Sequence, residues 1–335
     1  MNIENCKAII MMATYQGEKY LNEQLDSIIG QSFTNWELYI SDDGSTDSTM
    51  HILQRYKEME PRIVKIISNH GEHGAFSNFF SLMRYVKENV KQKYNFYFYC
   101  DQDDIWYKDK LEKQIDCMLK YKKESSSSIP VLCYSDLQLM DGKGNMLGRT
   151  LGQDSDISLE NYYNIFFAER YIWGTTMAHD AVLWEMTHVP MDIPGFLSHD
   201  NWIGRYAAVY GKIIFMNEPL VCYRRHGGNV TADVPHGYTF WQGIKRIFTQ
   251  LPDVLDNHAG TYWASLYFIA HLNDKKKTLI DFEKCLLNGG WQAVKIVRKY
   301  NINTAENFFN RAAFFLILFT SIYKRSKVFN HDFRN

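Results

Sequence analysis

The sequence predicts an α/β fold: a sheet flanked by helices on both faces, followed by a C-terminal helical region. Three observations predict it. Short apolar runs recur at Ala8 to Met12, within Glu37 to Ser41 (Leu38 to Ile40) and at Phe96 to Cys100, as strands buried on both faces should read. Segments with apolar residues at helical spacing alternate with them. Two acidic clusters, Asp42-Asp43-Gly44-Ser45-Thr46-Asp47 and Asp101-Gln102-Asp103-Asp104, each follow such a run. Carboxylates at the C-terminal ends of parallel strands face the crevice where open α/β sheets bind ligands.

In chain order, Ala8 to Met12 is the first strand. Leu21, Leu25, Ile28 and Ile29 then form the apolar face of a helix that Gly30 closes. Glu37 to Ser41 is strand two, and Asp47 or Ser48 caps a helix carrying Met50, Leu53 and Tyr56. Strand three is Ile63 to Ile67. The polar loop Asn69 to Gly74, whose His70 and His73 read as solvated, leads to a helix from about Phe76 to Asn89. Strand four is Phe96 to Cys100, a helix follows from about Lys108 to Tyr121, Ser125 to Ser128 is a linker, and Val131 to Tyr134 is strand five. Asp141 to Asn145 reads as a turn between two short strands. Ile172 to Met177 and Pro190 to Asp200 read as loops and short helices, and Lys212 to Met216 and Leu220 to Tyr223 as strands. From Tyr238 onward the pattern is mostly helical.

Composition narrows the function classes. The 335 residues are 46% hydrophobic and 22% charged, the balance of a globular protein. A net charge of −1 argues against a general nucleic-acid binder. The charge is uneven: from His236 onward 14 basic residues face 7 acidic ones, and the remainder holds 23 against 31. A basic tail suits an anionic membrane surface or a polyanionic partner; a solvated helical face would carry the same residues. The six cysteines form no C-x-x-C pair and read as reduced core residues, not as a disulfide frame or zinc site. With no basic region leading into a long apolar stretch at the N-terminus, no secretory signal is expected and the site should face the cytoplasm.

No apolar stretch reaches the roughly 18 to 20 residues that span a bilayer. A helix from about Phe308 to Tyr323, followed by Lys324, Arg325 and Lys327, can lie in a membrane interface with its basic end at the headgroups. A helix packed on the domain, or a dimer contact, is the alternative.

The acidic clusters carry the chemistry. Thr14 and Tyr15 follow strand one and offer a hydroxyl and a ring face to a nucleotide base. Asp42 or Asp43 can accept a charge-assisted hydrogen bond from a base imide or a ribose hydroxyl, although Asp-Gly-Ser-Thr-Asp is also good helix-capping chemistry. Three carboxylates within Asp101 to Asp104 repel one another, and a divalent cation beside a pyrophosphate relieves that repulsion. His226 follows a strand beside Arg224 and Arg225. A neutral imidazole is a good Mn²⁺ ligand, and guanidinium groups pair with phosphate; a lone histidine is also common in purely structural settings.

Taken together, these motifs resemble family 2 glycosyltransferases of the GT-A fold. Met12 to Gly17 with Leu21, Leu25 and Ser27, then Gln31-Ser32-Phe33, match the opening. Asp42 to Asp47 match the nucleotide motif, and Asp101 to Trp106 the D-x-D metal motif. Ser198-His199-Asp200-Asn201-Trp202 match the catalytic-base segment, and Tyr223 to Asn229 the closing Y-R-x-H-x-x-N element. The resemblance covers residues 6 to 230, and its D-Q-D-D-I-W and H-D-x-W forms are similar to bacterial rhamnosyltransferases of capsule and cell-wall polysaccharides. It implies a nucleotide-diphospho-sugar transferase with a mixed sheet over residues 1–235. Residues 236–335 would then be a helical region for membrane association or dimerisation.

The resemblance also implies roles. Thr14, Tyr15, Asp42, Asp43, Asp101 and Arg224 would hold the nucleotide, Asp101, Asp103 and His226 a Mg²⁺ or Mn²⁺ ion, and Asp200 would be the general base. His199, Trp173 and Trp202 would contact the acceptor. The donor would be dTDP-L-rhamnose, or a UDP-hexose. The acceptor would be a saccharide or lipid-linked oligosaccharide at the inner face of the plasma membrane. His199 replaces the Glu that often precedes the base, and Trp173 to Thr176 replace a Gly-rich acceptor loop.

Two other enzyme classes lack their motifs. A phosphatase of the haloacid dehalogenase type needs an aspartate where Ser41 stands, and a Rossmann dehydrogenase needs G-x-G-x-x-G after strand one, where the sequence has Tyr15-Gln16-Gly17-Glu18. A non-catalytic sugar-nucleotide-binding partner is the remaining alternative, and the presence of Asp103 and Asp200 argues against it.

Overall fold

The computed structural model describes residues 2–126, 128–150, 161–168, 172–191, 196–227, 251–303 and 308–330. The chain divides into two compact units, Met1–Gln153 with Ile172–Val234, and Asp154–Tyr171 with Pro235–Asn335.

In the first unit, β1 (Ala8–Thr14), β2 (Trp36–Asp42), β3 (Ile63–Ser68) and β4 (Phe96–Cys100) alternate with α1 (Leu21–Ile29), α2 (Thr49–Met59), α3 (Ala75–Asn89) and α4 (Lys110–Ser125). β1 pairs in parallel with both β2 and β4, and β2 with β3. Ala8, Ile10 and Met12 of β1 face one core with Leu25 of α1, Leu53 of α2 and Ile115 of α4. Ile9 and Met11 are equally buried on the opposite side of the pleat, where α3 packs on β1. Burial on both faces is why the run is apolar without alternation.

The second half of the sheet is mixed, as the resemblance implied. β5 (Ile105–Trp106), β6 (Val131–Asp141), β7 (Met146–Thr150), β8 (Met177–Asp180) and β9 (Lys212–Arg225) give the order β3-β2-β1-β4-β8-β6-β9-β5, with β7 on β6. β8, which no sequence pattern announced, is the antiparallel spacer between β4 and β6. Its four residues are too few for a period to register, and they include His179 and Asp180, both buried. β9 is one strand where two were expected: it pairs in parallel with β6 through irregular register around Asp136↔Pro219, and such a bulge tolerates a proline. α5 (Ala181–Met186) and α6 (His199–Tyr210) complete this unit.

The second unit holds α7 (Leu251–Ala270), α8 (Lys277–Asn288), α9 (Gly290–Lys299) and α10 (Phe308–Thr320). The helical reading of the tail matches these; its part from Tyr238 to residue 250 lies outside the described residues. Phe167 centres an aromatic core, edge-on to Tyr262, Phe282 and Phe314 with centroids 6.3, 5.1 and 6.2 Å away. No described helix is long and apolar enough to cross a membrane.

Candidate active site

Register builds the site. Thr14 pairs with Asp42 across β1 and β2, and Met12 with Cys100 across β1 and β4, so both acidic loops leave the sheet at the same edge. The loops are laced together. The Gln102 amide bonds Tyr15 at both its N–H (2.8 Å) and its carbonyl (2.6 Å). Gln16, held at φ 49°, accepts the N–H of Thr46 at 2.9 Å and of Asp47 at 3.1 Å.

Asp42 and Asp43 differ in what they do. Asp42 accepts from the Thr14 hydroxyl (2.8 Å), the Ser45 hydroxyl (2.7 Å) and the N–H groups of Gly44 and Ser45 (3.2 and 2.8 Å). At 3% exposure Asp42, expected to contact the nucleotide, braces its own loop. Asp43 accepts from Asn69 Nδ2 (2.6 Å), Gly74 N–H (2.8 Å) and His73 Nδ1 (2.8 Å). His73, read as solvated, therefore clasps the loop. Its ring meets Tyr15 edge-on at 4.5 Å, and Tyr15 remains 43% exposed.

The second cluster is completed from far along the chain. β5 and β9 run antiparallel with Ile105 opposite Cys222; continuing that register sets Asp103 against Arg224. His226 Nε2 lies 2.8 Å from Asp103 Oδ2. Arg224 donates through Nε to the Asp103 carbonyl (2.9 Å) and through Nη2 to Glu23 (2.7 Å), with its guanidinium 4.5 Å above the Tyr20 ring. At 1% exposure it braces the metal-motif loop, where it was expected to meet phosphate. Asp104 is fully buried, accepts the Arg224 N–H at 3.1 Å, and is pushed well above the carboxylate range by burial and by the charges of Asp103 and Asp101.

Asp200, in the first turn of α6, accepts the Gly174 N–H at 3.0 Å and its neighbour Asn201's at 2.6 Å. Burial, with the negative charges of Asp103 and Asp200, raises Asp101 to about 7. The structure thus gathers Asp101, Asp103, Asp200 and His226. His199 is 4% exposed, stacks on Phe79 at 3.9 Å, and has neither ring nitrogen hydrogen-bonded; burial lowers it to about 4. Trp173 is partly buried against the core. Trp202, expected to contact the acceptor, is fully buried and donates Nε1 to the His188 carbonyl at 2.7 Å. Asn229, the last residue of the closing motif, lies outside the described residues. Tyr20, Glu23, His73, Gln102 and Gly174 had no sequence signal as site residues beyond their nearness to motifs.

A parallel nucleotide-binding half and a mixed second half, with acidic loops at one sheet edge, define the GT-A class. The crystal structure of S. aureus TarS 1-349 in complex with UDP-GlcNAc has this fold, with a TM-score of 0.51 at 15% identity over 88% of this chain and 80% of that one. The Glycosyl transferase family 2 model matches residues 9–186, more than half of the chain, and the chain belongs to that family. It is 36% identical over 143 residues to dTDP-rhamnosyl transferase RfbG of Shigella flexneri, covering 42% of this chain and 47% of RfbG. Over 111 residues it is 31% identical to UDP-Glc:alpha-D-GlcNAc-diphosphoundecaprenol beta-1,3-glucosyltransferase WfgD of Escherichia coli, 33% of this chain and 40% of WfgD. The chain thus spans about half the length, or less, of these relatives.

Proposed function

We propose that the chain is an inverting glycosyltransferase of bacterial surface-polysaccharide synthesis, moving L-rhamnose from dTDP-rhamnose to a saccharide hydroxyl on a lipid-linked acceptor. One observation carries the transferase reading: Asp200, aimed by the Gly174 backbone amide from another element, shares a charge cluster with Asp101 and Asp103. The name of RfbG supports the rhamnosyl donor. The name of WfgD supports a lipid-diphosphate acceptor, and a UDP-hexose donor as the second reading.

The residues derive the chemistry. Asp200 takes the proton from the acceptor hydroxyl as that oxygen attacks the anomeric carbon. The Gly174 and Asn201 amides fix its oxygens. The bond to the nucleoside diphosphate breaks on the opposite face, through an oxocarbenium-like state. A single displacement inverts the centre, and no second carboxylate serves as nucleophile. Tyr15 supplies a ring for the base, and Asp43, held by Asn69, Gly74 and His73, a nearby acceptor.

Among the described residues no three His, Cys, Asp or Glu side chains already form a metal cage. Asp103 Oδ2 and His226 Nε2, 2.8 Å apart, nonetheless offer the oxygen and nitrogen of a two-ligand seat with Asp101 beside them. This fits Mg²⁺ or Mn²⁺, which commonly take few protein ligands and complete their shell with phosphate oxygens and water. When bound, such an ion would offset charge on the departing diphosphate.

The test incubates the chain with dTDP-rhamnose, UDP-glucose, UDP-galactose and UDP-N-acetylhexosamines, with Mn²⁺ or chelator, and measures nucleoside diphosphate release. Release from dTDP-rhamnose that needs the ion is expected. Release only from a UDP-sugar moves the assignment to the second reading, and undiminished release in chelator removes the metal role of Asp103.

A further inference from the structure

The second unit carries an exposed apolar patch that the transfer chemistry does not use. Trp291, at the start of α9, is 71% exposed, and Leu316 and Phe319 of α10 are 62% and 39% exposed. The Trp291 and Phe319 rings meet edge-on at 5.0 Å, so the two helices present one continuous surface. α10 buries Phe314, Ile317 and Leu318 on its other side. The outward apolar residues are therefore additional to those that pack the unit, and a contiguous patch of this kind marks an interaction site.

The surroundings are basic. Lys295 and Arg298, four and seven residues after Trp291, lie on its helix face and are exposed, as are Lys284, Arg325 and Lys327. Between Lys277 and Asn330 the sequence holds nine basic residues and three acidic ones. Of the acidic ones, Asp281 already holds Lys299 and Tyr300 (2.6 and 2.7 Å) and Glu283 holds Lys275 (3.4 Å); Glu306 lies outside the described residues. α10 has 13 residues, about 20 Å of helix, short of the roughly 30 Å a bilayer core requires.

We infer that this face docks on an anionic lipid surface, with Trp291, Leu316 and Phe319 entering the headgroup boundary and the surrounding lysines and arginines meeting lipid phosphates. A second copy is the other occupant an apolar patch suggests. Two such basic faces would then oppose each other, and like charges across an interface are costly. Anionic lipid matches both the apolar centre and the basic rim.

The full chain is sedimented with vesicles of phosphatidylcholine alone and of phosphatidylcholine with phosphatidylglycerol. Binding to the mixed vesicles is expected, falling with salt, with little binding to neutral ones. Lys295→Gln and Arg298→Gln each weaken it about fivefold, and Trp291→Ser with Leu316→Ser weakens it further while leaving the thermal melt unchanged. If those variants do not fold, brominated lipid decides in their place: it quenches tryptophan emission of the native chain and quenches Trp291→Phe less. No binding to the mixed vesicles, equal binding to neutral ones, or insensitivity to all four substitutions overturns the inference. So does a concentration-dependent dimer in light scattering that Trp291→Ser dissolves, which would give the patch to a second copy.

Discussion

Asp103 Oδ2 and His226 Nε2 lie 2.8 Å apart although 123 residues separate them in the chain. The antiparallel pairing of β5 with β9 brings them together, and Arg224 holds the Asp103 carbonyl at 2.9 Å from the same strand. The pair is thus fixed by backbone register and by a buried guanidinium, without depending on a mobile loop.

His226→Ala should leave the fold intact and raise the Mn²⁺ concentration needed for half-maximal nucleoside diphosphate release by about ten- to a hundredfold, the usual cost of disturbing a metal's immediate surroundings. A metal titration reads this directly. An unchanged titration curve would remove His226 from the proposed seat and leave Asp101 with Asp103.

Gly174 is the contact that positions Asp200. Its N–H holds Asp200 Oδ2 at 3.0 Å, and a Cβ built on it would lie 2.6 Å from His199 Nε2. Gly174→Ala must therefore shift either the imidazole, stacked on Phe79, or the turn that aims the proposed base. A misaimed base costs on the order of 100-fold in turnover. Steady-state kinetics should show kcat falling with the donor KM unchanged. Asp200→Asn should abolish turnover and keep donor binding by calorimetry; turnover that survives it refutes the base assignment.

The first half of the fold was legible because its strands are buried on both faces and its helices carry a clear apolar stripe; Phe96–Cys100 and Leu21–Ile29 appear where their patterns lie. β8 was not, since four residues containing His179 and Asp180 look polar until both are seen paired inside the sheet. The acidic motifs pointed to loops that the register brings to one sheet edge. They did not show which carboxylates are already committed. Asp42 is taken up by Thr14 and Ser45, and Arg224 reaches Glu23 across 201 residues. Such long-range partners are set by topology, which local pattern does not encode.

Tyr15 and His73 allow the donor base to be tested apart from the chemistry. Stacking of a base on an aromatic ring is worth about 1–3 kcal/mol, so Tyr15→Ala should raise the donor KM roughly tenfold or more with little change in kcat. His73→Ala removes one of three donors to Asp43, but the His73 side chain is 60% exposed and an exposed pair contributes little. Its donor KM should move by less than that of Tyr15→Ala. The reverse order would shift base recognition from the ring to the clasp.

His179 makes a contribution to stability that is lost in mild acid. Its ring is fully buried between Tyr97, stacked at 5.2 Å, and the Tyr99 hydroxyl at 3.0 Å. Nδ1 donates to the Asp180 carbonyl at 3.0 Å, which leaves Nε2 to accept from Tyr99. Protonating Nε2 would remove the bond it accepts from Tyr99 and put a charge in a fully buried site, and burial lowers the group to about 4, against about 6.5 in an unfolded chain. The unfolded state therefore binds the proton first. The stabilisation is complete above about pH 6.5 and is lost as pH falls towards 4, with a slope near 1.4 kcal/mol per pH unit for each such histidine. His199, also held near 4 by burial, adds a second. The raised carboxyls of Asp101, at about 7, and Asp104 run the other way, since the folded state binds their protons first, so denaturant unfolding between pH 7 and 4.5 gives the balance of the two sets; His179→Gln should remove about 1.4 kcal/mol per pH unit of acid sensitivity from that balance while lowering stability at every pH. A slope that His179→Gln leaves unchanged would show that the imidazole is already charged in the folded protein.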